Sequence, residues 1–313
     1  MTSAAEPQGR EPAGASFPAP RQRAVLHGHD VAHLHLPATA SGPGGTPGAA
    51  HGPVVVLVHG VGSSIESWDD IPDRLAAAGY PVLALDLLGH GESGAGHGDY
   101  SLGAQASVVR DLLDHLGYER AHLVGHSLGG GVSLQFAYQF PERLESLTLV
   151  SSGGLGRDVG LPLRMATLPG ATTVLRLATQ PRVVDSGARL GQTLRRVGVD
   201  VKLLRERSAM RLRAMQDPRR LAGFVETLRS VVGPQGQRVS AAEKLASVDP
   251  QRLLIVWGEQ DAMIPMEHGR TMHGLLSGSR FVVVPGADHH AHTHDPEGFT
   301  ALLLDHLGRT VPA

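Results

Sequence analysis

The chain has 313 residues, a formal net charge of −2 and no cysteine. Its length suits one large domain, or one domain with an insertion. The small net charge argues against nucleic acid as a partner, and the lack of cysteine excludes disulfides, a thiolate nucleophile and cysteine-based metal sites. No apolar run is long enough to cross a bilayer, so we expect no membrane partner and a cytoplasmic location.

The N-terminal part of the chain contains a tail, a hairpin and a loop. Residues 1–20 are rich in Ala, Pro and Gly and lack the basic start and apolar run of a signal peptide, so we expect a disordered tail. Residues 23–36 alternate in type around a Gly-His-Asp sequence, which predicts a β-hairpin. His33 and His35 share one face of that hairpin, where we expect them to be solvated rather than to bind a metal. Residues 41–53 have the composition of a loop.

Strand and helix patterns then alternate. Val54–Val58 is an almost entirely β-branched run, which is typical of a strand buried on both faces of a parallel sheet. Later apolar runs alternate with amphipathic stretches, and this order predicts an α/β fold with a mostly parallel sheet and helices on both faces. The further predicted strands are Pro81–Leu85, Ala121–Val124 and Leu144–Val150, and the predicted helices are Trp68–Ala78, Leu102–Leu116 and Val132–Phe140.

The alternation breaks in residues 154–247. This segment lacks a strong strand pattern, is rich in Arg and is too long for a loop, so we expect an inserted helical cap above the strand ends. Most of its arginines are expected to be solvated. Residues 248–313 then complete the core that residues 21–153 begin. Helices are predicted in the cap at Val174–Thr179, Leu190–Val197, Val201–Ala214 and Pro218–Val232, followed by strands at Arg252–Trp257 and Arg280–Val284 and helices at Met266–Leu276 and Pro296–Leu307.

A Gly-x-Ser-x-Gly sequence surrounds Ser127, between a predicted strand and a predicted helix. This context is the one that a nucleophile elbow requires. Gly125 and Gly129 leave room for neighbouring elements in so tight a turn, and Ser127 is expected in a sparsely populated backbone conformation that exposes its hydroxyl. Leu128 is expected to be the first residue of the helix after Ser127. Its backbone N–H therefore points toward the negative charge that develops during the reaction. Taken alone, the motif also fits a glycine-rich turn with an incidental serine.

Further polar features follow other strands. A glycine-rich turn begins at His59, and the N–H of Val61 in that turn is our candidate for a second oxyanion donor. Asp261 and His289 each lie just beyond the end of a late strand. Because parallel strands place their carboxyl ends at one edge of the sheet, we expect both side chains to meet Ser127 there. A serine nucleophile needs a base, and the base needs a carboxylate that fixes its tautomer.

Five motifs occur in order along the chain: the turn at His59-Gly60, residues 86–93 (Asp-Leu-Leu-Gly-His-Gly-Glu-Ser), residues 125–130 (Gly-His-Ser-Leu-Gly-Gly), residues 257–261 (Trp-Gly-Glu-Gln-Asp) and residues 285–289 (Pro-Gly-Ala-Asp-His). Together they resemble the α/β-hydrolase superfamily, from about residue 23 to the C-terminus. The resemblance implies the α/β-hydrolase fold. It also implies Ser127 as nucleophile, His289 as base, Asp261 as acid, and the N–H groups of Val61 and Leu128 as the oxyanion hole.

The segment around the expected base departs from the family pattern. The family usually has Gly before this histidine, where this chain has Asp288, and further histidines follow His289 as His290, His292 and His294. The family spacing falls on His289, and His290 is the alternative base. We expect the histidine-rich segment to be solvated rather than to bind a metal, and we expect no cofactor.

The resemblance and the motifs predict a serine hydrolase. The expected substrate is a small or medium, largely apolar carboxylic ester, cleaved through an acyl-enzyme on Ser127, because the cap is rich in Leu, Val, Met and Ala. A C–C bond hydrolase of vinylogous diketones from aromatic-ring breakdown is an alternative, although those enzymes usually have Gly-Asn-Ser at the elbow. An acyltransferase or perhydrolase uses the same triad. A silent protein that binds a small ligand is the non-enzymatic alternative.

Overall fold

The computed structural model of the chain describes residues 20–39, 52–95, 98–196, 215–240, 245 and 248–310. The strands in these residues are β1 (Gln22–Leu26), β2 (His29–Leu36), β3 (Val54–Val58), β4 (Val82–Leu85), β5 (Ala121–His126), β6 (Leu144–Val150), β7 (Val232–Gly233), β8 (Gly236–Gln237), β9 (Leu253–Gly258) and β10 (Arg280–Val284). Eight of them form one sheet in the order β1-β2-β4-β3-β5-β6-β9-β10, whereas β7 and β8 form a separate hairpin. Strand β2 is antiparallel to β1 and β4, and the other neighbours are parallel.

Helices cover both faces of the sheet. The α-helices of the described residues are α1 (Ile71–Ala77), α2 (Leu102–Leu116), α3 (Leu128–Gln139), α4 (Leu161–Met165), α5 (Ala171–Ala178), α6 (Pro181–Arg196), α7 (Pro218–Val231), α8 (Glu267–Leu275), α9 (Ala291–His294) and α10 (Pro296–Thr310). Helices α2, α3 and α8 contribute to the apolar core on one face, and α1 and α10 contribute to the core on the other. No helix of the described residues has both the length and the apolar character needed to cross a membrane.

Strand β3 illustrates how the sequence produces these layers. All five of its residues are fully buried. Val54, Val56 and Val58 belong to one apolar core, and Val55 and Leu57 belong to the other. Successive side chains of a strand point to opposite faces, so a strand covered on both sides must be apolar at every position. The predicted α/β fold with a mostly parallel sheet is confirmed.

Helix α2 begins and ends where the sequence predicts. Ser101 caps its start by accepting a hydrogen bond from the N–H of Ala104 at 3.3 Å. Gly117 ends it in the left-handed conformation, with a φ of 78°. Leu144–Val150 and Arg280–Val284 are also strands over their predicted lengths. The helix predicted at Trp68–Ala78 is present but shorter, because α1 begins at Ile71, after a 3-10 helix at Ile65–Trp68.

The expectation that His33 and His35 are solvated is wrong. Strand β2 is not an edge strand, because it pairs with β1 on one side and β4 on the other. His33 is only 2 % exposed, and burial lowers its pKa. His35 is half-buried, and its Nε2 lies 2.8 Å from the hydroxyl oxygen of Tyr118, just after α2.

The described part of residues 154–247 is mainly helical, with α4 to α7 and the β7–β8 hairpin. Helix α7 matches its predicted span to within one residue. Helix α5 begins at Ala171, after Gly170 with a φ of 82°, and α6 begins at Pro181; both begin earlier than predicted. The predicted helix at Val201–Ala214, most of the loop and the tail up to residue 19 lie outside the described residues. The boundaries of the cap stay a prediction.

Candidate active site

Ser127 lies in a sharp turn between β5 and α3. Its φ of 54° and ψ of −114° fall in a sparsely populated region that costs about 1–3 kcal/mol. Backbone hydrogen bonds hold the turn: the N–H of Ser127 donates to the carbonyl of Val150 at 3.0 Å, and its own carbonyl accepts from the N–H of Gly153 at 2.9 Å. The turn therefore has the strained geometry that is expected of a nucleophile elbow.

Two glycines make this turn possible. A Cβ on Gly125 would overlap the carbonyl oxygen of Gly129. A Cβ on Gly129 would overlap the carbonyl oxygens of Val58 and His59 on the neighbouring strand. Any larger residue would push α3 away from the sheet, so the motif requires glycine at both positions for steric reasons.

Strand register brings the other predicted residues toward the elbow. Val58 lies opposite Gly125, so the turn after β3 lies beside the turn after β5. Gly258 lies opposite Val284, so the loops after β9 and β10 also meet. All four loops follow parallel strands, and the carboxyl ends of such strands are the usual ligand-binding edge of an open α/β sheet.

Asp261 and His289 come together in these loops. His289 Nδ1 lies 2.8 Å from Asp261 Oδ2, and Asp261 Oδ1 accepts the N–H groups of Met263 and Ile264 at 2.8 and 2.9 Å. Burial acts to raise the pKa of Asp261, but the hydrogen bonds and the nearby histidine outweigh it and lower that pKa. The ionised carboxylate therefore accepts the Nδ1 proton, which leaves Nε2 of His289 without a proton and able to act as a base.

His126 connects the expected base to the strand of the expected nucleophile. Its Nε2 lies 2.9 Å from the carbonyl oxygen of His289, and the two ring centroids are 4.9 Å apart. Because a carbonyl can only accept, His126 carries its proton on Nε2. The contact is not evident from the sequence alone, where the position of His126 beside Ser127 in the motif is the available signal.

The two backbone N–H groups predicted to form an oxyanion hole belong to Val61 and Leu128. Leu128 is the first residue of α3, so no carbonyl of that helix accepts its N–H. Val61 lies in the turn after β3. Both residues line the same pocket as Ser127. The arrangement fits a site for a negative oxygen at a helix N-terminus.

His59 holds the peptide that carries the N–H of Val61. Its Nδ1 lies 2.7 Å from the carbonyl oxygen of Gly60, and its Nε2 lies 3.0 Å from the backbone nitrogen of Leu87. The N–H of Leu87 can only donate, so Nε2 is the acceptor and Nδ1 donates to Gly60. Because the C=O and N–H of a trans peptide point in opposite directions, the N–H of Val61 points away from His59. Burial lowers the pKa of His59 to about 4, so its ring is neutral near pH 7.

The expectation that the histidine-rich segment is solvated is wrong for His292. Its side chain is fully buried, and its ring centroid lies 4.7 Å from that of Trp68. Its Nε2 lies 3.2 Å from the carbonyl oxygen of Ser67. The segment forms the short helix α9, which turns this residue toward the 3-10 helix after β3.

His290, the alternative base, lies beside the pair rather than in it. Its Nδ1 is 3.6 Å from Asp288 Oδ1, whereas His289 makes the hydrogen bond with Asp261. Among the described residues, no group of three or more His, Asp or Glu side chains is arranged to hold a metal ion.

An apolar pocket opens onto Ser127. Val61 and Leu128 contribute to its wall on the side of the sheet, and Leu228 and Val231 contribute from helix α7. Besides Ser127, the one polar side chain among its described lining residues is Gln237, which sequence reasoning missed. Its Oε1 already accepts the N–H of Gly154, at 2.7 Å. The other aliphatic lining residues are Leu102, Val159, Leu163, Val232, Val239 and Ile264.

Comparison with known proteins agrees with the fold. A family model described as alpha/beta hydrolase fold matches residues 53–296. An uncharacterized protein of Mycobacterium tuberculosis is 35% identical over 268 residues, which are 85% of this chain and 78% of that protein. The 2-hydroxy-6-oxo-6-phenylhexa-2,4-dienoate hydrolase of Comamonas testosteroni is 30% identical over 268 residues, 83% of this chain and 89% of that enzyme.

A solved structure is similar along almost the whole chain. The crystal structure of an alpha/beta hydrolase fold protein from Burkholderia ambifaria has a TM-score of 0.70 and 25% sequence identity, over 91% of this chain and 97% of that one. The family model, the relatives and the sheet order agree, and the chain belongs to the α/β-hydrolase fold family.

Proposed function

We propose that the protein is a serine esterase that cleaves an uncharged, largely apolar carboxylic ester. The observation that carries the proposal is the pocket at Ser127, whose described lining is aliphatic except for Ser127 and Gln237. Such a pocket favours an apolar acyl or alcohol group held next to the nucleophile. The paired Asp261 and His289 support the chemistry, because they supply a base in the required tautomer.

The proposed reaction assigns a role to each of these residues. Ser127 Oγ attacks the ester carbonyl while Nε2 of His289 takes its proton, and the N–H groups of Val61 and Leu128 stabilise the oxyanion. The proton then passes to the departing alcohol, which leaves an acyl group on Ser127. Water attacks this acyl-enzyme with His289 again as the base, and the carboxylic acid is released. Asp261 stabilises the imidazolium in both steps.

Hydrolysis of a C–C bond is the second candidate. A relative of this chain carries the name of a hydrolase of a phenylhexadienoate, and the match extends over most of both chains. That substrate name describes a carboxylate, whose binding in an apolar cleft needs a cation or several hydrogen-bond donors. The described lining of the pocket includes no Lys, Arg or His side chain. We therefore prefer hydrolysis of an uncharged ester over cleavage of a C–C bond in a carboxylate.

Hydrolysis of p-nitrophenyl esters from acetate to palmitate tests the proposal. We expect turnover by the wild type and loss of at least about a thousandfold in kcat for Ser127→Ala. The matched control is Ser133→Ala, which removes another buried serine hydroxyl from the same helix region but lies outside the pocket lining. It should keep its activity.

The same preparations should be assayed with 2-hydroxy-6-oxo-6-phenylhexa-2,4-dienoate. Cleavage of the dienoate with no turnover of any ester would replace the proposal by the second candidate. Ester turnover that survives in Ser127→Ala would exclude this serine as the nucleophile.

A further inference from the structure

The charge of the chain is divided very unevenly. Residues 154–247 contain 17 Lys and Arg against 7 Asp and Glu, a net charge of +10, whereas the whole chain carries −2. The cap sequence is therefore strongly basic, although the protein as a whole is slightly acidic. An asymmetry of this kind creates a field that attracts an anionic surface to one side of a molecule.

Helix α6 combines this charge with exposed apolar side chains. Arg182, Arg189 and Arg196 are exposed and recur every seven residues, so they lie along one line of the helix. Val183 and Leu190 follow the first two of them in the sequence and form a neighbouring line; they are 52 % and 53 % exposed. A line of arginines beside a line of aliphatic side chains is typical of an amphipathic helix that lies in a lipid interface.

The neighbouring cap helices continue the exposed apolar surface. Leu161 and Met165 of α4 are one turn apart and are 65 % and 53 % exposed, and Val174 and Leu177 of α5 are 66 % and 56 % exposed. Six of the nine large hydrophobic residues that are exposed in the described part of the chain therefore belong to α4, α5 and α6. Such a concentration marks an interaction surface rather than the scattered apolar residues of an ordinary exterior.

This surface belongs to the element that covers the pocket. Helix α7 supplies pocket residues Leu228 and Val231, α5 packs on α7, and α6 packs on α5. The inner side of α6 is marked by the buried Val184 and Gly191, so the arginine and aliphatic lines face outward. The exposed surface is thus the outer layer of the cap that lies over Ser127.

We propose that the outer face of the cap, formed by α4, α5 and α6, docks on an anionic lipid surface. The arginines bind the headgroups, and the aliphatic side chains enter the boundary between headgroups and acyl chains. Nucleic acid fits this surface less well, because a charged phosphate backbone makes no favourable apolar contact with the exposed aliphatic residues. Docking of this kind needs no membrane span, although it departs from the sequence-based expectation of no membrane partner.

Vesicle flotation tests the proposal directly. The probe is a set of extruded vesicles made of phosphatidylcholine alone or of equal parts phosphatidylcholine and phosphatidylglycerol. The protein is the full chain with Ser127→Ala, so that no ester is consumed and the result does not depend on the proposed function. We expect binding to the anionic vesicles, weak or no binding to the zwitterionic ones, and loss of binding as salt is raised.

Paired variants separate the contribution of the arginines to vesicle binding from that of the aliphatic side chains. Arg182→Glu with Arg189→Glu, and separately Val183→Ser with Leu190→Ser, should each lower the partition coefficient by about tenfold or more. The control is Leu275→Ser with Arg270→Glu on core helix α8, where both residues are exposed. It should leave binding unchanged, and thermal melts should show that all variants fold.

Three results would overturn the proposal. The first is no flotation with anionic vesicles at low salt. The second is an equal loss of binding in the control variant. The third is tight binding of duplex DNA that depends on the arginines but not on Val183 and Leu190, which would assign the basic cap to nucleic acid.

Discussion

At the scale of single residues, His59 connects the sheet to the expected oxyanion site, although its side chain is fully buried and does not line the pocket. Its two ring nitrogens have different partners: Leu87 donates to one, and the other donates to Gly60. Gly60 also accepts a hydrogen bond from the N–H of Ser63, at 3.2 Å. The peptide before Val61 is therefore fixed before substrate arrives. Such preorganisation is what makes backbone donors effective toward an oxyanion.

We expect His59→Phe to lower kcat for the preferred ester by about tenfold or more, with KM changed by less than about threefold. The reason is that the peptide before Val61 loses one anchor, and the oxyanion forms only in the transition state. Because the neutral ring acts through hydrogen bonds, the loss should be the same at every pH above about 5. Steady-state kinetics across pH measure it, and a thermal melt checks the fold. A change in KM alone would refute this positioning role.

At the scale of elements, the strand ends decide where the site forms. The sequence predicted Ser127, Asp261 and His289 together because each follows a recognisable strand, and parallel strands end at one edge. It predicted α2 because Ser101 and Gly117 are strong helix-ending signals. These features are local, so a single sequence is enough to find them.

Other features depend on packing between distant segments. The burial of His33 requires β4 on one side of β2 and β1 on the other, and the contact of His126 with the carbonyl of His289 requires the end of β5 to meet the loop after β10. The first half of α6 contains Pro, Asp, Ser and Gly, which are typical of turns, so the sequence placed the start of this helix too late. Periodicity does not report such long-range contacts.

The C-terminal end of helix α7 forms part of the pocket wall and limits the space for an acyl chain. Val231 is half-buried and lines the pocket, so Val231→Phe adds a ring without opening a cavity elsewhere. We expect kcat/KM for long acyl esters to fall by about tenfold relative to acetate, because the ring occupies space that the acyl chain needs. The measurement is the profile of p-nitrophenyl esters from acetate to octanoate.

The control for this change is Val174→Phe, which adds the same ring at a site that is 66 % exposed on α5. Its profile should match the wild type. If both variants shift the profile alike, or if neither does, α7 does not define the acyl site.

At the scale of the whole molecule, buried histidines determine the response to acid. Burial lowers the pKa of His59, His90 and His306 to about 4 and that of His122 to about 3. In the unfolded chain such groups titrate near 6.5. Between about pH 6.5 and 4 the unfolded chain therefore binds protons that the folded chain does not. The free energy of unfolding must fall as pH falls through this window.

We expect Tm to drop clearly between pH 7 and pH 5, with up to about 1 kcal/mol per pH unit lost for each such histidine. Burial raises the pKa of Asp86, and this shift makes the free energy of unfolding rise as pH falls. Asp86 is one group, however, whereas several histidines act in the opposite direction. His306→Leu should reduce the drop, because it removes one of these groups from the core. His115→Leu, an exposed change on α2, should not. A Tm that is independent of pH in the wild type would contradict this account.

The central claim is that Ser127 is an activated nucleophile, and covalent labelling with a fluorophosphonate tests it most directly. The measurement is intact mass followed by peptide mapping. We expect one adduct per chain, on the peptide that contains Ser127. We also expect slower labelling in Asp261→Asn, because that variant no longer fixes the tautomer of His289, and no labelling in Ser127→Ala. An adduct on another residue, or no adduct on a folded wild-type chain, would show that Ser127 is not an activated nucleophile.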